Sequence, residues 1–172
     1  MFIRAKSAIA LVAASLISPL SFRAQAQDNS TRYEIGVVYY AGQGGIKALD
    51  REKEVESGRK NYSAKVNGAH ATMRLAADKP QVFRVCKVDP TRFKLYRFKS
   101  EGNARTCTIA KINIWIGGSK NVLAESEIPM SIQTAEDGCF TLTPQKTLED
   151  GEFGFSPFES SDVFMFGVGS PQ

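Results

Sequence analysis

Three groups of residues in this chain could do chemistry. The first is His70, the only histidine. A Ser-His-Asp or Cys-His relay would have to use it. No G-x-S-x-G turn accompanies it, and no cysteine stands in a recognisable nucleophile context. His70 is therefore expected to be an ordinary exposed residue. The second group is the cysteines, Cys86, Cys107 and Cys139. Their separations match no zinc site, and there is no C-x-x-C. One disulfide among the three and one leftover thiol are expected, and all three pairings stay open. The third group is the carboxylates Glu125, Glu127, Glu136, Asp137, Glu149, Asp150, Glu152, Glu159 and Asp162. Two of them could flank a glycosidic bond at about 5–10 Å, but nothing in the sequence selects a pair. They follow no calcium-loop pattern, and solvated turns are the expectation. No metal and no cofactor is expected.

Two short patterns carry less. "GQGG", residues 42–45, lacks the Lys-Ser/Thr of a phosphate loop and is expected to be a turn between strands. "NYS", residues 61–63, matches a glycosylation acceptor, but the leader described below is bacterial in style, so the match is taken as chance.

Charge is unevenly placed. From Arg84 to Lys111 eight bases face Asp89 and Glu101, a balance of +6; from Glu125 to Asp162 nine acids face Lys146 alone, a balance of −8. In "RFKLYRFK" bases alternate with aromatics. A basic strand face built from Arg84, Lys87, Arg92, Lys94, Arg97 and Lys99 could bind an anionic surface. The plainer expectation is that basic strands lie beside acidic ones and neutralise them.

The N-terminus has its own logic. Arg4 and Lys6 precede the apolar run "SAIALVAASLISPLSF", and Ala24-Gln25-Ala26 follows it. Basic start, apolar middle and A-x-A end read as a secretory signal peptide over 1–26, cleaved before Gln27. The run is too short and too interrupted for a span of about 20 residues, and no later segment could cross a membrane. Removing 1–26 takes Arg4, Lys6 and Arg23 and no acid, so 19 bases face 18 acids, a net +1. The basicity belongs to export and does not point to nucleic acid. The remaining 27–172 suit one domain.

The rest of the chain reads as strands. "YEIGVVYY" at 33–40 is β-branched and aromatic, "IKALD" is a short second strand, and "REKEVESGRK" is a loop. Asn67-Gly68 predicts a two-residue hairpin over 62–75, with Ala69, Ala71, Met73 and Leu75 facing one way and His70, Thr72 and Arg74 the other. Further strands follow in "PQVFRVCKV", "RFKLYRF", "TCTIAKINIWIG", "EIPMSIQT" and "GCFTLTP". In them Ile112, Ile114 and Ile116 share a face with Trp115 opposite, Pro129 implies an edge, and Phe140 and Leu142 point inward against Cys139. In "GEFGFS" Phe153 and Phe155 share a face, with Glu152 and Gly154 opposite, and "DVFMFGV" is its partner. No segment carries a helical apolar repeat beyond the leader. The expected fold is all-β, an antiparallel β-sandwich of immunoglobulin-like general architecture. "L-x-x-G-x-F", residues 148–153, is similar to the corner where sandwich strands cross between sheets, with Phe153 in the place usually held by Tyr.

"GVVYY…GGIKAL", "VNGAHATMRL…KPQVFRV", "L-x-x-GEFGFS" and the terminal "VFMFGV" together resemble a set of exported bacterial β-rich proteins without an assigned activity. That set tends toward L-x-P-G-E-Y-x-F and F-x-F-G-V near the C-terminus. Here Asp150 stands in place of Pro and Phe153 in place of Tyr. The resemblance covers most of the chain after the leader. It implies a β-rich secreted module and supplies no catalytic residue.

Three functions follow as expectations. The first is an exported, periplasmic or secreted, non-enzymatic module acting through protein contacts. The second is a binder of an anionic envelope polymer through the 84–99 strands. The third is a carboxylate-based hydrolase.

Overall fold

Aromatic side chains from two sheets meet at the centre of this protein. The computed structural model describes residues 33–42, 44–55, 61–115, 118–123 and 126–170, with 61–62, 110–115 and 118–123 as backbone. The expected leader at 1–26 lies outside them. So do residues 56–60 of the expected loop, Ile116, and the facing of Ile112, Ile114 and Trp115. The described residues all belong to one compact unit, Arg32–Gln172.

The strands are β1 (Tyr39–Gly42), β2 (Gly45–Ala48), β3 (Asp50–Lys53), β4 (Asn61–Asn67), β5 (Arg74–Leu75), β6 (Phe83–Cys86), β7 (Phe93–Glu101), β8 (Ala104–Trp115), β9 (Gly118–Leu123), β10 (Glu127–Ile128), β11 (Met130–Thr134), β12 (Cys139–Pro144), β13 (Gly151–Pro157) and β14 (Asp162–Val168). One turn of 3-10 helix, Pro90–Arg92, precedes β7. No helix among the described residues is long and apolar enough to cross a membrane.

The fold is almost all β, in antiparallel sheets. A five-stranded sheet runs β11-β12-β6-β1-β2. A nine-stranded sheet runs β3-β14-β13-β7-β8-β4, with β10 beside β7, β9 beside β8, and β5 beside β14 as the one parallel pair. Among the described residues the chain crosses between the sheets five times, after β2, β5, β6, β10 and β12. Leu49, buried, separates β2 from β3. Pro129, which has no N–H to give a ladder, separates β10 from β11. Residues 145–150 lead from β12 to β13, so the stretch read as a corner does carry the chain across.

The core between the sheets joins Phe83, Val85 and Leu142 to Leu95, Phe153, Phe155, Phe164 and Phe166. Phe83 stands edge-on to Phe155 at 4.9 Å and lies 4.8 Å from Phe166, within the range where offset and T-shaped pairs attract. A second cluster, Ala64, Val66, Ala71, Tyr96, Phe98, Cys107, Val163 and Met165, covers the other face of the nine-stranded sheet. β13 is therefore buried on both faces. Phe153 and Phe155 face the first core, as their alternation predicts. Glu152 and Gly154 face inward too, where one-sided burial had predicted solvent.

Other expectations need correcting. The first strand starts later than predicted: Ile35-Gly36 forms a turn, with Gly36 at φ 74°, and β1 begins at Tyr39. The charged stretch after Leu49 contributes β3. "GQGG" is the β1–β2 turn, with Gly42 opposite Gly45 and Gln43 outside the described residues. Asn67-Gly68 does not close a hairpin. β4 pairs with β8, and residues 68–75 instead run to β14. The corner is held by Arg105, which is only 2% exposed. Its Nε donates to Gly68 O at 2.8 Å, and its Nη2 reaches both Asn67 O and the Glu52 carboxylate at 2.6 Å. A buried guanidinium thus takes the carbonyls that a return strand would have paired. The predicted alternation survives, since Ala71, Met73 and Leu75 are buried while His70 and Thr72 are exposed. The tight hairpins form elsewhere. Gly102-Asn103 joins β7 to β8, and Asp137-Gly138, both at positive φ, joins β11 to β12.

Crowding around Gly154 gives a test of the two-sided burial. A Cβ there would lie 2.5 Å from Met165 Sδ, 2.9 Å from a Val163 methyl and 3.0 Å from the Phe98 ring. Gly154→Val is expected to destabilise the protein by about 3 kcal/mol through overpacking, read as a lowered urea midpoint with an unchanged slope.

Candidate functional site

β7 carries the residues that matter most, and its period of two sorts them. Phe93 and Leu95 are buried in the core between the sheets. Two and four residues on, the same face presents Arg97 and Lys99, both exposed. There the facing sheet has ended.

The next strand has also moved away. β7 and β8 pair only over Lys99↔Thr106, Ser100↔Arg105 and Glu101↔Ala104. Beyond that they splay, and Ser126 fills the gap. Its carbonyl accepts the Arg97 N–H at 2.8 Å, and its hydroxyl donates to Thr108 O. The result is a cleft of about 560 Å³ lined by Arg97 and Lys99, by Glu101 and Cys107, and by Ser63, Thr106, Thr108 and Ser126. In register, Lys99, Thr106 and Lys65 form a row across three strands, so Lys65 belongs to this face as well. Sequence reading missed Lys65, since only the β4–β8 pairing brings it there.

Arg97 is a fixed cation. Its guanidinium donates to Asp150 O at 3.0 Å, lies 5.8 Å from the Phe153 ring centre, and approaches Glu149 at 3.6 Å. That Glu149 is largely exposed, so solvent screens the pair. Among the described residues no carboxylate forms an ion pair with Lys99.

The six predicted bases do not share one face. Lys94 lies on the side of β7 opposite Arg97 and Lys99 and pairs with Glu127 at 3.4 Å. Arg92, in the 3-10 turn, reaches Glu159 at 3.7 Å and Phe158 O at 3.1 Å. Arg84 and Lys87 belong to the other sheet and the bend after it, and Arg84 donates to the Tyr33 hydroxyl at 3.2 Å. Neutralisation by neighbouring acids thus accounts for Arg92 and Lys94. Arg97 and Lys99 are brought together at the cleft.

Glu152 departs from its expected place in a solvated turn. Its carboxylate is 5% exposed. One oxygen accepts the Ala71 N–H at 2.8 Å, and the other takes a guanidinium nitrogen of Arg74 and lies 3.3 Å from His70 Nδ1. Arg74 also donates to Gly169 O at 3.0 Å and Val168 O at 2.9 Å. It fits there because residue 167 is glycine, where any Cβ would overlap the guanidinium. His70 is thus a half-exposed neighbour of a buried ion pair, and Glu152 pins segment 70–75 onto β13 and β14.

A separate cleft of about 370 Å³ holds Glu54, Tyr96 and Glu159. Burial raises the Glu54 carboxyl above its ordinary range. Burial first, then Glu127 and Cys107, raises the Tyr96 phenol and keeps it neutral. Glu159 is exposed at the cleft and held by Arg92. Glu125 lies outside the described residues. Among the described residues no group of three or more His, Cys, Asp or Glu could hold a metal ion.

The cysteines resolve one of the open pairings. Cys86 and Cys139 stand opposite each other on β6 and β12 and form the disulfide. This is why Cys139 is buried although Phe140 and Leu142 face the other way. Cys107 is a free, buried thiol, and burial pushes it up to about 12. Such a thiol stays protonated at neutral pH and is a poor nucleophile. Native protein is expected to leave a thiol reagent unconsumed, and denatured, unreduced protein to consume one equivalent. Glu152→Ala is expected to cost about 3–5 kcal/mol by stranding Arg74, measured by denaturant unfolding.

No family model, no curated protein and no solved structure matches the chain.

Proposed function

We propose that the protein is an exported, non-enzymatic β-sandwich that works by binding, and that its contact surface is the cleft at Arg97 and Lys99. In this reading residues 1–26 are a leader, the mature chain acts in the envelope or outside the cell, and the fold resembles that of other exported β-rich proteins. The Cys86–Cys139 disulfide fits an oxidising compartment.

One observation carries the reading: two exposed cations, Arg97 and Lys99, stand beside a row of hydroxyls in a cleft on the face of β7 that is core at Phe93 and Leu95. Cations give attraction and hydroxyls give directed hydrogen bonds. An anionic group such as a carboxylate, sulfate or phosphate of an envelope polymer suits both. The Arg97 contacts to Asp150 O and Phe153 hold one cation in position before any ligand arrives, which lowers the ordering cost of binding.

Retention of the purified protein on an immobilised acidic polysaccharide tests this. Wild type is expected to bind at low ionic strength and to weaken steeply as salt approaches about 0.3 M. Arg97→Glu with Lys99→Glu is expected to lose at least about tenfold in affinity. Lys47→Glu, on the far sheet, is expected to bind as wild type. Unchanged binding by the double variant, or reproducible hydrolytic turnover of the polymer, would overturn the proposal.

A further inference from the structure

The outer edge of β11 is unlike the other outer strands. β11 ends the five-stranded sheet, and no described residue pairs with its free side. Open edges invite pairing with another chain, and proteins usually blunt them with charge or irregularity. Here β2 carries Lys47, β3 is Asp-Arg-Glu-Lys throughout, β4 carries Lys65 and a register shift against β8 between Tyr62 and Ser63, and β9 carries Lys120. β11 is Met-Ser-Ile-Gln-Thr, with no charge, no proline and a regular register along its whole length.

The hydrogen-bond phase of this edge follows from its closing turn. Ala135 N–H bonds Cys139 O at 2.9 Å, and Gln145 N–H bonds Pro129 O at 2.9 Å. In an antiparallel ladder bonded and non-bonded pairs alternate. Between those two bonded pairs, Ser131 and Gln133 therefore point their backbone groups at β12. Met130, Ile132 and Thr134 point theirs outward. Pro144 agrees with this phase, since it faces Met130 at a non-bonded position and has no N–H to lose.

The side chain at the centre of this edge is also uncovered. Ile132 lies opposite Leu142, on the core side of the sheet, yet is 41% exposed. It borders a groove of about 420 Å³ with Phe93, Ile128, Pro129 and Met130.

We propose that β11 is a self-association edge, where a second copy of this chain pairs antiparallel about a two-fold axis at Ile132. The strand is complementary to itself at that register. The two Ile132 residues exchange N–H and carbonyl, Met130 meets Thr134, and Ser131 meets Gln133. No like charges oppose, and the five-stranded sheets continue into one ten-stranded sheet. The two-fold sets both Ile132 side chains on the same face, so each covers the other's exposed side. A partner of different sequence would find no charge on β11 to select it, which favours the copy. Five residues of pairing and a shallow groove make a small interface, so a reversible dimer with a micromolar midpoint is expected.

Sedimentation equilibrium of the purified protein from about 1 to 100 µM tests this. Wild type is expected to move from the monomer mass to twice that mass. Ile132→Pro removes an outward N–H while leaving the β11–β12 ladder intact, and Ile132→Lys sets two ammonium groups against each other. Both are expected to stay monomeric throughout. Circular dichroism checks that each variant is folded; if the proline variant is not, the lysine variant decides. A wild-type monomer at about 100 µM, or a lysine variant that dimerises like wild type, would overturn the proposal.

Discussion

Everything in this fold is arranged around a hairpin that water reaches from neither side. β13 and β14 pair along Gly151↔Val168 to Phe155↔Phe164, with an aromatic core on one face and the Tyr96–Phe98–Met165 cluster on the other. Two-sided burial leaves no room for a large residue at 154 and no solvent for the charge at 152. Glycine meets the first condition. Arg74, the Ala71 N–H and His70 meet the second, and in doing so they fix the 70–75 segment in place. A buried carboxylate of this kind is retained because losing a partner is costly, not because the pair itself stabilises greatly.

The same geometry makes the cleft. β7 is anchored to β13 along Phe93–Phe98, while its partnership with β8 lasts three residue pairs. Where β8 leaves, the sheet must open, and Ser126 enters. The face that is apolar at Leu95 becomes polar at Arg97 with no break in the strand. Site and core are two stretches of one alternation, divided by where the second sheet stops.

Much of this was legible in the chain. The positions of β6, β7, β12, β13 and β14 follow from β-branched and aromatic runs, whereas Pro129 had implied an edge within one strand and the chain instead breaks there into β10 and β11 of different sheets. What escaped reading was non-local. Nothing near Asn67-Gly68 says that Arg105, 37 residues on, will hold its carbonyls. Nothing near Glu152 says that its strand has a second covered face. The basic stretch was visible as composition, but its division between two sheets and two faces needed the pairing register. Lys65 could have been found only from the β4–β8 pairing. The disulfide likewise required knowing that β6 and β12 are neighbours.

That disulfide joins positions 53 residues apart, and the span between them contains all of β7 to β11. The connections between β8 and β9 and between β9 and β10 both fall inside this covalent ring. A single backbone cut in either opens the ring without dividing the molecule. The two pieces stay linked through Cys86 and Cys139, and most of the strand pairs that hold them together are untouched. A chain cut there remains one covalent object for as long as the disulfide stays oxidised.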